Sequence, residues 1–461
     1  MRPVIYWLFV FAFFLFSAVL FLPGSMGYDA LSQWYQLNGI IPISDWHPPI
    51  MVHIWKFLNQ FIEGPLSMLV LQLALYWCGL ALTVKGFFSQ QSNKLNIVVL
   101  AIIGFFPVTW LQLGSVWKDA LMLSALLFAF GLFMHATSLK ASGKKPYWIF
   151  LLIGLALVLS CGTRHNAFFA VIPLVCLMVF ELSPKRLGAA GKLLMSGVVL
   201  VVTLFVSSQI NRVGVEDKNP YLINQLVLWN VAGISVELDT MLVPNQAFKN
   251  PEGIQIEELK THYSQSSNNS LVFTSGIINP AIWNDETIGK QFLAEGLQEI
   301  VSHPKAYLKI RLQFLKKFMG IGVWMPYMAY IFETKFWDGD DLLELNNYRV
   351  KNQSVLIKIE QELVSRMSHF GFYNVVPYMV ALLVSLLYLI FKYKGTRRKS
   401  LIALGLSGVF YWLPYLIIAP SNDFRYHNWT ILVTIIICSY LIVNGLLFKQ
   451  NQATSYDIRK P

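Results

Sequence analysis

Charge is scarce in this sequence. Only 13% of its 461 residues are Asp, Glu, Lys or Arg, hydrophobic types make up 55%, and the mean hydropathy is +0.52. A water-soluble chain of this size is excluded, which leaves an integral membrane protein. Cysteine is scarce too: Cys78, Cys161, Cys176 and Cys438 all fall inside apolar stretches, with no CxxC spacing. That argues against a disulfide framework and against a zinc site. Ten-residue alternating patterns are missing, which excludes a porin-type barrel. Internal repeats and low-complexity tracts are missing as well, and this weakens a transporter built on inverted repeats.

What the chain has in abundance is apolar runs of helix-spanning length. Ten are expected, at about 4–22, 64–84, 95–113, 120–138, 147–161, 167–182, 192–209, 374–391, 400–419 and 429–448, with 147–161 and 167–182 short. The first is read as a retained helix, because its apolar core is long and no small-x-small cleavage site follows. With the N-terminus in the cytoplasm, the inside segments hold Arg2, Lys85, Lys94, Lys140, Lys144, Lys145, Lys185, Arg186, Lys192, the cluster 392–399, Lys449, Arg459 and Lys460, 17 basic residues in all. The short outside loops hold four: Lys56, Lys118, Arg164 and Arg425. This bias sets the orientation. It also accounts for the net charge of +11 without nucleic acid.

The sequence thus divides into an N-terminal membrane module, 1–209, with its first outer loop at 23–63; a polar segment, 210–373; and C-terminal spans with a tail, 374–461. The expected class is an all-α polytopic membrane protein carrying an extracytoplasmic, mixed but mainly helical domain. A helix is expected to start at Ser302-His303-Pro304, where Pro304 suits a first turn. Its stripe of Tyr307, Ile310, Phe314, Leu315 and Phe318 reads as an interfacial amphipathic helix. The stretch 318–332 is rejected as an extra crossing: it is short, it contains Pro326, and it would put the basic cluster 392–399 outside.

Charged groups near a bilayer are costly and mark function, so those at span ends carry most of the information. The first outer loop has Asp29, in Tyr28-Asp29-Ala30-Leu31-Ser32-Gln33-Trp34, and Asp45, in Asp45-Trp46-His47-Pro48-Pro49. Other tips are Trp117-Lys118-Asp119, Arg164-His165-Asn166 and Asp423-Phe424-Arg425-Tyr426. All lie on the outer side. Carboxylates and cations drawn together there suit transfer of a group away from a phosphate: a carboxylate takes the acceptor's proton while cations stabilise the departing phosphate. Arg164 and Arg425 fit bidentate phosphate contact better than Lys118.

These motifs together resemble GT-C fold membrane glycosyltransferases of the branch that uses polyprenyl phosphate sugars, which includes serotype-converting O-antigen glucosyltransferases and the protein mannosyltransferase and aminoarabinose transferase superfamily. The likeness rests on the Asp29 to His47-Pro48-Pro49 loop, the Lys118-Asp119 and Arg164-His165-Asn166 tips, the His303-Pro304 helix start through Arg311, and the Asp423-Phe424-Arg425-Tyr426 turn. It implies a module of about seven N-terminal spans, a variable outer domain, and an inner-membrane enzyme with an extracytoplasmic site. The donor is a polyprenyl phosphate sugar, and the acceptor is a glycan or a lipid-linked molecule of the cell envelope. Asp29 occupies the position of the base, with Asp45 as a second carboxylate. The donor phosphate falls to Arg164, Arg425, Lys118 and His165. Substrate contacts fall to His47, Trp46, Gln33, Asp423 and Tyr426, with Trp34 and Trp117 close enough to stack on a sugar. Ala30 after Asp29 breaks the paired acidic motif of some members, which argues against a divalent metal. A single displacement with no protein nucleophile implies inversion at the anomeric carbon. The competing readings are a polymerase, ligase or oligosaccharyltransferase using a lipid diphosphate, and a flippase or transporter of lipid-linked sugars.

Overall fold

The computed structural model describes residues 3–89, 91–144, 147–184, 186–250, 252–322 and 354–457. Arg2, Lys145, Lys185, Pro326, Arg459 and Lys460 lie outside them, as does most of 318–332. Among the described residues the chain is helical, and the only β pairing is a few isolated bridges. In chain order the helices are α1 (Pro3–Phe21), α2 (Tyr28–Leu37), α3 (Pro49–Leu58), α4 (Leu66–Phe87), α5 (Asn93–Gly104), α6 (Pro107–Trp110), α7 (Lys118–Ala141), α8 (Tyr147–Thr163), α9 (Ala167–Leu182) and α10 (Ala189–Ile210). They continue with α11 (Asn224–Leu238), α12 (Ile256–His262), α13 (Ala281–Asn284), α14 (Glu286–Ser302), α15 (Pro304–Phe318), α16 (Ser354–His369), α17 (Val376–Phe391), α18 (Arg398–Trp412), α19 (Tyr415–Ile418) and α20 (Asn428–Asp457).

The protein is a helical membrane protein. Among the described residues six helical segments are long and apolar enough to cross a bilayer: Val4–Phe21, Leu66–Phe87, Lys118–Ala141, Ala189–Ile210, Arg398–Ile418 and Phe424–Leu446. The run expected at 95–113 is helical but bent by 64° between Gly104 and Pro107, because a proline cannot continue the hydrogen-bond ladder. The remaining three expected spans are the shorter apolar helices α8, α9 and α17.

Helix α7 is the central post and is largely buried, whereas α10 is largely exposed and lies at the rim. Glycines let α4 and α7 touch backbone to backbone. A Cβ on Gly131 would stand 2.4 Å from the Gly79 carbonyl oxygen, and one on Gly79 would stand 2.6 Å from the Phe128 nitrogen. Since backbone cannot yield as a side chain can, Gly131→Val is expected to cost about 3 kcal/mol, the upper end for overpacking. The check is a thermal unfolding midpoint in detergent.

Between α10 and α17, helices α11 to α14 close over a second hydrophobic cluster that includes Val227, Leu228, Leu259, Ile282 and Phe292. Helix α15 starts at Pro304, as its sequence predicts. The stripe expected at a membrane surface is instead packed into protein: Ile310, Phe314 and Phe318 are buried, with Phe314 against Trp229 and Phe318 beside Tyr415 and Tyr426. The exposed apolar face of α15 is a different one, carrying Leu308 and Leu312.

Candidate functional site

The site forms at the end of the bundle where α7 begins, and local structure brings its parts together. Past α1, Ser25 pairs with the strand-like residues before α7: its N–H donates to the Gly114 carbonyl (2.9 Å), and its carbonyl accepts from the Val116 N–H (2.8 Å). Gln72, fully buried on α4, donates to the carbonyls of Leu113 (2.6 Å) and Ser115 (2.9 Å). These bonds set the first turn of α2, which carries Asp29, against the first turn of α7, which carries Lys118 and Asp119. Pro49 opens α3, so His47 sits on the turn just before it. Arg164 follows the last residue of α8. Arg425 rides on a short turn, Phe424–His427, ahead of α20. That turn is bolted by His427, whose Nε2 donates to the Phe318 carbonyl (3.0 Å) and whose Nδ1 accepts from Trp412 Nε1 (3.1 Å).

Asp29 is the hub. Its Oδ2 lies 3.0 Å from Lys118 Nζ and 3.1 Å from Arg425 Nη1, and its Oδ1 lies 3.8 Å from His47 Nε2. Lys118 Nζ also donates to His47 Nδ1 at 3.1 Å. Behind this group, Arg164 makes a two-pronged pair with the fully buried Asp119, at 2.7 Å for each prong. Arg425 is held from two further sides, by Asp423 Oδ2 at 3.0 Å and by Asp119 Oδ2 at 3.8 Å. Its guanidinium lies over the rings of Trp117 and Tyr426, and that of Arg164 lies over Tyr426.

The electrostatics follow from burial and pairing. Burial opposes the charge of Asp29, but Lys118 and Arg425 outweigh it and hold the carboxyl well below the usual range. Burial, and after it the Lys118 charge, pushes His47 down to about 3, so the ring is neutral near pH 7. Asp423 moves the other way, raised by burial that Arg425 only partly offsets. Arg164 is buried, yet Asp119 keeps its guanidinium more firmly charged than usual. His165, on the surface of the same turn, is lowered by partial desolvation and by the charges of Arg164 and Lys118.

Of the residues singled out in the sequence, Asp29, His47, Lys118, Arg164, Asp423, Arg425 and Tyr426 converge here. Asp45 does not join them. Its Oδ1 accepts from the Asn219 backbone N–H (2.8 Å) and side chain (3.1 Å), stapling the first loop to the segment that follows α10. Trp46 turns toward the second cluster, its ring 5.6 Å from those of both Phe273 and Trp283. Gln33 is buried and donates to the Pro48 carbonyl (3.4 Å), bracing the turn next to His47. Arg311 is buried against Phe314 and donates to the Leu416 carbonyl (2.9 Å).

Two features escaped sequence reasoning. Asp119, noted in the sequence only as part of the Trp117-Lys118-Asp119 tip, is an anchor of both arginines, a role its position in a Lys-Asp pair at a span end does not reveal. The Ser/Asn-rich patch 264–270 docks on the loop before Asp423: Asn422 N–H donates to the Ser266 carbonyl, and Asn268 N–H to that of Pro420, both at 2.9 Å. Among the described residues no group of three or more His, Cys, Asp or Glu side chains is arranged to hold a metal ion; the charged partners of Asp29 are the Lys118 and Arg425 cations. No protein-family model matches the chain, and no curated protein or solved structure is significantly similar to it.

Proposed function

We propose that this protein is a GT-C type glycosyltransferase that moves one sugar from a polyprenyl phosphate donor to a glycan or lipid-linked acceptor of the cell envelope. In this reading the chain crosses the cytoplasmic membrane ten times, works on the extracytoplasmic face, and uses residues 210–373 as an outer domain. The observation that carries it is the Asp29 carboxylate gripped by Lys118 and Arg425, brought from three separate parts of the chain to one end of the bundle. The opposite end of α7 supports the orientation, since Lys140 there bonds the Glu181 and Leu182 carbonyls and Lys399 pairs with Glu181, in the lysine-rich half.

The chemistry is a single displacement. The acceptor hydroxyl gives its proton to Asp29, its oxygen bonds the anomeric carbon, and the bond from that carbon to the phosphate oxygen breaks. The electron pair leaves with the polyprenyl phosphate, where Lys118 and Arg425 stabilise the charge. Oδ1 is the oxygen suited to take the proton, because Oδ2 carries both cations. No metal is required for these steps. Attack opposite the leaving group inverts the anomeric configuration.

The test is transfer from purified polyprenyl phosphate hexoses to envelope glycans by the purified protein in liposomes. Inverted product from the monophosphate donor is expected. Activity only with a lipid diphosphate, or translocation without transfer, would replace this reading with one of its rivals. Asp45→Asn is expected to keep most of the activity and to lose about 1 kcal/mol of stability, since it weakens the acceptor of two Asn219 bonds.

A further inference from the structure

The donor's phosphate has two cations to meet in the proposed site, and both are already taken by the group that must act as base. Lys118 and Arg425 converge on the same oxygen of Asp29, at 3.0 and 3.1 Å. Neither depends on Asp29 to stay where it is. Lys118 is also bonded to His47 Nδ1. Arg425 is clamped by Asp423 and Asp119 and lies over Trp117. The carboxylate is also the most accessible member of this trio, with a side chain 22% exposed against 11% for Lys118 and 10% for Arg425. An anion arriving from the open side therefore reaches Asp29 first and finds two fixed cations directly behind it.

We infer that Asp29 Oδ2 is a resident stand-in for the donor phosphate: the phosphate replaces it on Lys118 Nζ and Arg425 Nη1, and only then is Asp29 released to act as base. This rests on the proposed function for the sugar, but the exchange itself needs only a phosphate. Binding is ordered by construction, donor before proton transfer, and the free enzyme holds its base in an inactive ion pair. The charges facing Asp29 are Lys118 on α7 and Arg425 ahead of α20, with neutral His47 before α3; Asp119, Arg164 and Asp423 sit behind the cations. Once the phosphate shares the cations, Asp29 keeps its burial and loses its main stabilising partners, so its affinity for a proton rises when it is needed.

The experiment measures the affinity of the full-length protein in nanodiscs for a short-chain polyprenyl phosphate, with inorganic phosphate as a second probe. Removing a competing carboxylate should tighten binding, so Asp29→Asn is expected to bind at least tenfold more tightly than wild type. Lys118→Met is expected to bind at least tenfold more weakly, although the two residues touch. Opposite signs from neighbouring residues are not produced by a merely structural role. Calorimetry of the wild type with a short-chain polyprenyl methyl phosphate, a diester like the donor with no ionisation of its own in this range, in buffers of different ionisation enthalpy is expected to show proton uptake on binding at mildly acidic pH. The same signs with inorganic phosphate would assign the effect to the phosphate group itself. Equal or weaker binding by Asp29→Asn, or no proton uptake by the wild type, would overturn the exchange. If the shifts hold while no sugar is transferred, the exchange stands and the glycosyltransferase reading falls.

Discussion

For the sugar transfer proposed above, Asp29→Asn is expected to lower turnover by about 10²–10⁴-fold, the range for loss of a positioned general base. The amide keeps the size of the carboxylate and can still accept a hydrogen bond from Lys118, but it cannot take a proton from a hydroxyl. Because the same change frees Lys118 and Arg425 for the donor, KM for the donor should fall while kcat collapses. That pairing distinguishes Asp29 from a residue that only shapes the loop, whose loss would raise KM or unfold the protein. The pH profile gives an independent check. A carboxylate base must be deprotonated, so activity is lost as pH falls through its pKa. In the free enzyme the cations hold that pKa well below the usual carboxylate range. In the donor complex proposed above they are shared with phosphate. The acid limb of kcat is therefore expected at higher pH than that of kcat/KM for the donor. Coincident limbs would place the proton acceptor elsewhere.

The helices were largely legible in the sequence, because an apolar run long enough to span is both the signal and the physical requirement. All ten runs are helical, and Pro49 and Pro304 start helices where their fixed φ is useful. Legibility failed where direction mattered. Residues 95–113 read as one apolar run, yet Pro107 breaks it into two helices at 64°. Helix α15 has two apolar faces, one with Ile310 and Phe314 and one with Leu308 and Leu312. Periodicity alone cannot tell which meets protein, and the bulkier aromatic face went inward against Trp229.

The site divides in the same way. That Asp29, Lys118, Arg164 and Arg425 share one end of the bundle followed from span ends and the sign of the loops. Which of two carboxylates in one loop sits among the cations did not. It is decided by Asn219, 174 positions away from Asp45, and by the pairing of Ser25 with residues near 115. Contacts of that range leave no local pattern. Arg164 was expected to hold phosphate directly, but the structure joins both of its prongs to Asp119, placing it behind Arg425 as a support.

That support is the basis of the second large effect. Asp119 is fully buried at the start of the central helix and neutralises Arg164 through two short bonds, while touching Arg425 at 3.8 Å. Asp119→Leu removes the only carboxylate paired with Arg164 among the described residues and leaves a mostly buried guanidinium without a counter-charge. The expected cost is about 3–5 kcal/mol, because an unpaired buried charge loses its partner and does not regain its water. Taking out both charges should be far milder: Asp119→Leu with Arg164→Met replaces an ion pair by apolar groups of similar length, an exchange that is often neutral. Thermal unfolding of the two single variants and the double variant gives the cycle, and a double variant no more stable than Asp119→Leu would mean that the pair is not the unit of stability. The recovered double variant then isolates function from folding. It keeps Asp29, Lys118 and the Asp423 clamp on Arg425, but it loses one of the two carboxylates that aim that guanidinium. Turnover is therefore expected to stay depressed although stability returns. Full recovery of both would reduce Asp119 and Arg164 to a structural pair and leave Asp423 as the one anchor of Arg425.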